Sequence, residues 1–450
     1  MLGIVVSRAD EASVHIGEQL LAVGEWTETT DASRPDGAGG GTVYRTDGAT
    51  LREFDALHLE LDGVAEAFED PELVVFASRH AGETDELLTA HHTGNFGTAE
   101  YGGESGQFAR ACPNAHSAVL ASLAEHAPAD YEVGMECTHH GPTEVGAPSM
   151  FVEVGSAEPQ WADSEAARAV ARAILDIRGV AADAPAENGD RRHLVGVGGG
   201  HYAPRFERVV RATDWRVGHI GADWSLDALD DWAETDDDRD AVLRRAFGAS
   251  AAEYALLEDR PELIERLGAL GYRVVGETFV RETSGVPLPL VGELESAVEP
   301  VDDGLRFGEP ATDDPAAWRV ADLPDGLLAE ARGIDEASVR DWVERNVVAF
   351  GTEQNGTVVT GPLVLAADTP RATVVDGLAE ILRQRYDSVD RENGELVGRE
   401  ERFDPELART AGVPEGPKFG KLANGQSVTV DGEEIDPERF HRECIRRFTL

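Results

Sequence analysis

Lysine is almost missing from this chain of 450 residues: of 40 basic residues only Lys418 and Lys421 are lysines, and the other 38 are arginines. Cysteine is scarce too. Cys112, Cys137 and Cys444 lie far apart with no CxxC pair, which excludes a disulfide framework and a cysteine-built zinc ribbon and fits a reducing cytosol. No run approaches the ~20 apolar residues of a membrane span. The apolar run within Met1–Arg8 is too short for a signal peptide. The expectation is a cytoplasmic protein with no membrane partner. GxSxG, Walker A, HExxH and HxHxDH patterns are also absent, so nothing marks serine nucleophile chemistry, a phosphate-cradling P-loop or a zinc-binding spacing.

Negative charge is abundant. There are 86 acidic residues against the 40 basic ones, a formal net charge of −46. In dilute buffer such a charge destabilises a compact chain by self-repulsion. At roughly 1 M salt the Debye length falls to about 3 Å and most of that repulsion is screened. Acid spread along the whole chain, with lysine nearly eliminated, reads as adaptation to a cell interior of molar salt. An acidic protein ordinarily argues against a nucleic-acid partner. Here the background charge reports the solvent, so RNA binding stays open, resting on local arginines, stacking and shape. Hydrophobic residues make up 41% of the chain, enough for sizeable cores, and the length suits two or three domains.

Short apolar runs at Gly3–Val6, Leu73–Ala77, Tyr131–Glu136, Met150–Val154, His193–Val197 and Trp215–Ile220 read as buried strands. Helical periodicity lies between them, at Glu11–Val23, Ser164–Ile177 and Pro261–Leu270. Alternating strands and helices predict an α/β fold with a mainly parallel sheet flanked by helices. Sites in such sheets gather beyond the carboxyl ends of strands. Gly37–Gly41 reads as a flexible loop. The acidic, Pro/Gly-rich stretch at 291–318 reads as a linker between a catalytic domain over 1–290 and a C-terminal α+β region over 319–450. In that region helices are expected at Pro324–Arg332, Ser338–Val348 and Val374–Tyr386, with an apolar run at Thr357–Ala366. A last helix over Pro437–Phe448 would put Arg439, Arg442 and Arg446 on one face.

Histidines cluster at the predicted strand ends. Ser78-Arg79-His80 follows one strand, and Leu88-Thr89-Ala90-His91-His92-Thr93-Gly94-Asn95-Phe96 comes soon after. Thr138-His139-His140-Gly141-Pro142 follows a second strand, and Gly198-Gly199-Gly200-His201-Tyr202-Ala203-Pro204-Arg205-Phe206 a third. Catalytic zinc typically takes three protein ligands plus water, with neutral imidazole the commonest donor. His80, His91, His139, His140 and His201 are therefore candidates for one metal pocket; as residues alone they are equally consistent with general bases or RNA contacts. The glycine run does not fit a dinucleotide fingerprint, because His201 stands where the third glycine belongs. It reads instead as a loop that lets a substrate approach the backbone and whose amides can cradle an anion. Cys137, at the end of a buried strand, reads as an inert core thiol.

These four blocks, in this order, resemble the archaeal and plant type of D-aminoacyl-tRNA deacylase over about residues 1–290. The resemblance implies a sheet related to peptidyl-tRNA hydrolases and phosphorylases, Zn2+ as cofactor, and hydrolysis of the ester between a D-amino acid and the tRNA 3′ end. On that reading His80, His91, Thr138, His139 and His201 are the catalytic candidates. Gly94, Asn95, Phe96, Gly198, Gly199, Gly200, Tyr202 and Arg205 are the substrate-binding ones. His91 is preferred to His92. The partner is D-aminoacyl-tRNA, with no obligate protein partner and a monomer expected. Rival readings are a non-enzymatic tRNA-binding factor and a zinc-dependent peptidase or amidase. Beyond about residue 315 the resemblance thins, and Gly412–Leu422 with Asp431-Gly432 resembles only a short stretch of ribonuclease Z, whose HxHxDH is absent here. Lys418 and Lys421, in what reads as a tight turn, join Arg439, Arg442 and Arg446 as an expected tRNA-contacting surface.

Overall fold

A computed structural model describes residues 1–185, 189–430 and 432–450, so Asp431 lies outside the described residues. The chain divides into two compact units, Met1–Ser284 and Gly285–Leu450.

The first unit holds two sheets. One is built from β1 (Leu2–Ser7), β2 (Thr27–Asp31), β3 (Gly41–Thr46), β4 (Ala49–Phe54), β5 (Leu73–Arg79), β6 (Leu87–His91), β7 (Glu132–Met135) and β8 (Ser149–Gly155), in the order β2-β3-β4-β1-β5-β8-β6-β7. Its centre, β4-β1-β5-β8, is parallel. Strands buried on both faces read as unbroken apolar runs, which is why β1, β5 and β8 were legible: all six residues of β1 and all seven of β8 are buried. β6 lies antiparallel to β8 and parallel to β7. The second sheet holds β9 (His193–Gly198), β10 (Arg216–Gly221), β11 (Tyr254–Glu258) and β12 (Arg273–Val275) in the all-parallel order β10-β9-β11-β12.

Helices cover these sheets. The helix Glu11–Val23 starts where the Asp10 carboxylate accepts from the amides of Ala12 and Ser13, which satisfies orphan donors of the first turn. Asp163 does the same for Ser164–Asp176, whose Ala166, Ala169, Val170, Ala173 and Ile174 are buried. The helix Pro113–His126 begins with proline at its first turn, where no amide is needed. Among the described residues no helix is long and apolar enough to cross a membrane.

One expectation changes here. The strand ending in the glycine run does not share a sheet with the strand before His80. The two sheets are joined instead by a bridge between Glu136 and Tyr202. Around it, the Cys137 amide donates to the His201 carbonyl at 2.8 Å and the Ala203 amide to Met135 at 2.9 Å. The strand ends converge because of this seam.

The second unit is α+β. Helices Leu327–Ile334, Glu336–Asn346 and Arg371–Leu382 and the strand Val358–Ala366 follow the expected pattern within a few residues; the strand Ala349–Glu353 was not expected. The stretch read as a linker is instead built into the unit. It begins inside the helix Leu288–Ala297 and contains the strand Arg306–Phe307, which pairs with Ala349–Glu353. The last helix is also corrected: Pro437–Phe440 is a single 3-10 turn and His441–Thr449 a strand. That strand pairs antiparallel with Glu395–Phe403 from Phe403↔His441 to Glu395↔Thr449 and buries Phe448 in a core with Val389 and Leu396. Ladder pairing and burial outweigh the weak local helix preference. Pro417–Ala423 is a helix rather than a tight turn.

Candidate active site

His80 follows β5, His91 closes β6, His139 and His140 follow β7, and His201 follows β9. Their rings gather in one cluster. Centroids lie 4.1 Å apart for His91 and His139, 4.4 Å for His139 and His140, 4.7 Å for His139 and His201, and 6.2 Å for His80 and His201. Neighbouring side chains on an extended backbone point to opposite faces. His140 escapes this rule through a left-handed φ of +44°, rare for a residue with a Cβ and typical of functional sites. The turn brings two successive imidazoles to one point. His92, directly after His91, points the other way: its ring spans the Gly218 carbonyl at 3.0 Å and the Cys112 amide at 3.1 Å.

Three rings are set for ligation by their back nitrogens. Nδ1 donates to a backbone carbonyl in His91 (His92 O, 3.1 Å), His139 (Cys137 O, 2.9 Å) and His140 (Gly141 O, 2.7 Å). A donor on Nδ1 leaves Nε2 as the lone-pair nitrogen, the arrangement that orients metal-bound histidines. Burial and neighbouring imidazoles push His139 well below the usual histidine range and His140 down to about 3, so both are neutral.

Two buried carboxylates face these rings. Glu136 is fully buried, with Oε1 3.1 Å from His80 Nδ1 and Oε2 2.8 Å from His201 Nε2 and 3.7 Å from His139 Nε2. Glu153 lies 3.7 Å from both His80 and His91. Burial alone would raise both carboxyls, but the imidazoles outweigh it and hold them ionised. Burial also opposes charge on His80. Glu136 and Glu153 win there, pushing it up to about 11. Charged His80 therefore pairs with Glu136 through Nδ1 and donates from Nε2 to the Tyr202 hydroxyl at 2.9 Å. The ring needs a glycine beside it: a Cβ on Gly155 would lie 2.6 Å from it.

Ligand-type atoms fall within 4.8 Å of one another in the sets His91, His139, His140; Cys137, His139, His201; His80, Glu136, His201; and His91, Glu136, Glu153. His91 Nε2 is buried with no hydrogen-bond partner, and Glu136 Oε1 has only its ion-pair contact with His80, so the donor set fits a cation. Cys137 is buried, and burial with the nearby Glu136 charge pushes its thiol up to about 12; it is no thiolate nucleophile. His80, His139, His140, His201 and Glu153 line a cleft of about 430 Å³ together with Asp10, His58, Ser78, Arg79 and Tyr101.

A family model described as D-aminoacyl-tRNA deacylase matches residues 67–274. The curated D-aminoacyl-tRNA deacylase of Haloarcula marismortui is 66% identical over 451 residues, covering 100% of both chains. That of Natronomonas pharaonis is 56% identical over 449 residues, again covering 100% of each.

The chain belongs to the D-aminoacyl-tRNA deacylase family.

Among solved structures, a conserved protein of unknown function superposes with a TM-score of 0.54 at 30% identity, covering 63% of this chain and 98% of that one. The haloarchaeal relatives match along the whole chain, so the second unit, beyond the reach of the sequence resemblance, is common to them.

Other candidates of this family member are placed differently from expectation. The Thr138 hydroxyl is committed to packing: it donates to His219 Nδ1 at 3.1 Å and accepts from the Ile220 amide at 3.0 Å. That makes it a positioning residue for the following histidines and not a group in the cleft. Asn95 braces a loop through the carbonyls of Gly102 and Glu104. Phe96 is buried in a core with Val195 and Val197. The Gly94 amide donates to His140 O at 2.9 Å. Gly198 has φ +97°, and a Cβ there would meet the Glu258 carbonyl at 1.9 Å. Strand packing, rather than an approaching substrate, requires that glycine, and the Glu258 carboxylate beside Gly199 disfavours an anion cradle. Gly200 is open on that side, and Arg205 faces Glu277 at 3.7 Å.

In the second unit Lys418 Nζ donates to Thr429 O at 2.6 Å, and Arg439 lies over Phe440. Arg442 faces Asp404 at 3.2 Å and Arg446 faces Glu330 at 3.5 Å. Sequence reasoning passed over Glu136 and Glu153. Both carried a signal: an acid inside an apolar strand pattern is rarely buried unless paired.

Proposed function

We propose that the protein hydrolyses the ester between a D-amino acid and the 3′ end of tRNA, freeing both in the cytoplasm. The observation that carries this is the cluster of five imidazoles around buried Glu136 at the floor of a cleft, in a chain whose relatives carry that activity in their names. A sheet related to peptidyl-tRNA hydrolases is part of the same reading. We assign Zn2+ to the Nε2 atoms of His91, His139 and His140. When bound it supplies a Lewis acid for the ester carbonyl and lowers the pKa of water. His201 is the most open of the five, its side chain 35% exposed. With Nε2–H on Glu136, its Nδ1 is the basic nitrogen, suited to take a proton from attacking water. The Tyr202 hydroxyl, which accepts from charged His80, supplies the donor for negative charge developing on the carbonyl oxygen.

The test is release of tyrosine from D-Tyr-tRNA and L-Tyr-tRNA in molar KCl, with and without a chelator. The D-ester should be cleaved and the L-ester spared, with activity lost to the chelator. His139→Ala should reduce bound metal together with kcat/KM, the latter roughly 100-fold. Equal turnover of both esters, or none, defeats the reading. An active enzyme free of metal leaves the histidines as bases.

Lys418 and Lys421, three residues apart on one helix, share a face and are proposed to contact the tRNA backbone. Replacing both by glutamate should raise KM for aminoacyl-tRNA a few-fold relative to an aminoacyl-adenosine ester. An equal response from both substrates makes the helix structural.

A further inference from the structure

The rim of the histidine cleft carries two side chains that the chemistry above does not use. Tyr101 is 67% exposed, one of only two aromatic side chains among the exposed large hydrophobics of the described residues. Tyrosine, with an apolar ring and a polar hydroxyl, is enriched at contact surfaces. Its backbone is fixed to the catalytic floor: the Gly141 amide, next to His140, donates to the Tyr101 carbonyl at 2.9 Å. Arg79 precedes His80 and is exposed. Its guanidinium stacks 5.1 Å from the centre of the Trp161 ring, and that indole donates to the His80 carbonyl at 2.9 Å. The Arg79 amide is held by Asp10 at 3.1 Å. In a chain with more than two acids per base, no carboxylate among the described residues lies within 4.0 Å of this guanidinium. Arg79 and Tyr101 line the same cleft, and each is fastened to a segment that carries a histidine.

A rigid cation free of a carboxylate and an exposed ring, both fixed beside an ester-hydrolysing floor, match the two parts of a nucleotide. Planar guanidinium suits phosphate oxygens. Aromatic faces hold unpaired bases by stacking, without relying on counterion release. Stacking matters more here, since salt that screens a −46 chain also weakens phosphate contacts. We infer that Arg79 and Tyr101 form the subsite for the 3′-terminal nucleotide of the substrate, with Arg79 on its 5′-phosphate and Tyr101 stacked on its adenine. This rests on the proposed deacylase reading and adds how the tRNA end is gripped. Anchored on the nucleotide side, the ester bond lies over His201 and His139.

The experiment uses the full chain in molar KCl and three D-tyrosyl esters: the methyl ester, the 3′-ester of adenosine and the 3′-ester of 5′-AMP. Binding of 5′-AMP is measured separately by calorimetry. Tyr101→Ala should lower the preference in kcat/KM for both nucleoside esters over the methyl ester by roughly 10-fold, with Tyr101→Phe restoring it. Arg79→Ala should lower the preference for the AMP ester over the adenosine ester by roughly 10-fold, and should weaken 5′-AMP binding. A purely structural role lowers all three esters together and leaves both ratios unchanged, which overturns the inference. If wild type binds 5′-AMP through these residues but cleaves no D-aminoacyl ester, the deacylase reading fails and the subsite stands. If it cleaves the esters and both variants keep wild-type ratios, the reaction stands and the subsite is wrong.

Discussion

Glutamine at position 136 should lower kcat/KM for D-aminoacyl-tRNA by roughly 10²- to 10³-fold, although it matches glutamate in shape. The Glu136 carboxylate faces two imidazole N–H groups: it pairs with His80 at 3.1 Å and accepts from His201 at 2.8 Å. A glutamine amide has one accepting oxygen and one donating nitrogen. It can serve one of those N–H groups and must oppose the other, so one ring has to invert its tautomer or turn. His80, which Glu136 and Glu153 together hold charged, loses half of that support. Glu136 is completely buried, and breaking a buried charge pair costs about 3–5 kcal/mol. In a unit of this size that corresponds to a fall in Tm of roughly 10 °C. Kinetics, a thermal melt and metal content on one preparation check the expectation. A rate within about threefold of wild type would mean that Glu136 does not orient these rings.

Removing salt is the second large effect. Transfer from molar KCl to about 0.1 M should abolish the cooperative melting transition, because the Debye length grows from about 3 Å to about 10 Å and repulsion then acts across the surface. The folded chain already uses its arginines sparingly. Arg8 serves Asp36, Glu53 and Asp55 together, Arg260 serves Asp223, Asp227 and Glu262, and Arg266 serves Asp236 and Asp240. With 40 basic residues against 86 acids, most carboxylates depend on dissolved cations. Sucrose, which favours burial without screening charge, should not replace the salt. A Tm independent of KCl would show that the acidic surface carries no such dependence.

The buried parallel strands and the two capped helices were readable because burial on both faces writes an uninterrupted apolar run and helix packing writes a 3.6-residue stripe. The β2–β3 ribbon was not, since β2 is almost wholly exposed and has no apolar side to register. The last strand was mistaken for a helix because Arg439, Arg442 and Arg446 fall at helical spacing. Its partner, Glu395–Phe403, lies some forty residues away and leaves no local mark. At the site, each histidine was visible as a residue at a strand end. Their common pocket was also expected, but on the ground of one shared sheet; β9 belongs to a different sheet from β5, β6 and β7, and the Glu136–Tyr202 seam brings His201 in.

Sequence alone determined the composition-driven properties: an acidic, lysine-poor chain, an α/β core, a set of strand-end histidines, and their order along the chain. Only tertiary structure decided that Glu136 and Glu153 sit among those imidazoles, that Thr138 and Phe96 face inward, and that Arg79 and Tyr101 border one cleft. Period and composition are local quantities, written into every few residues. The distance between His201 and Glu136 is set by a seam between two sheets, and no stretch of chain shorter than that loop encodes it.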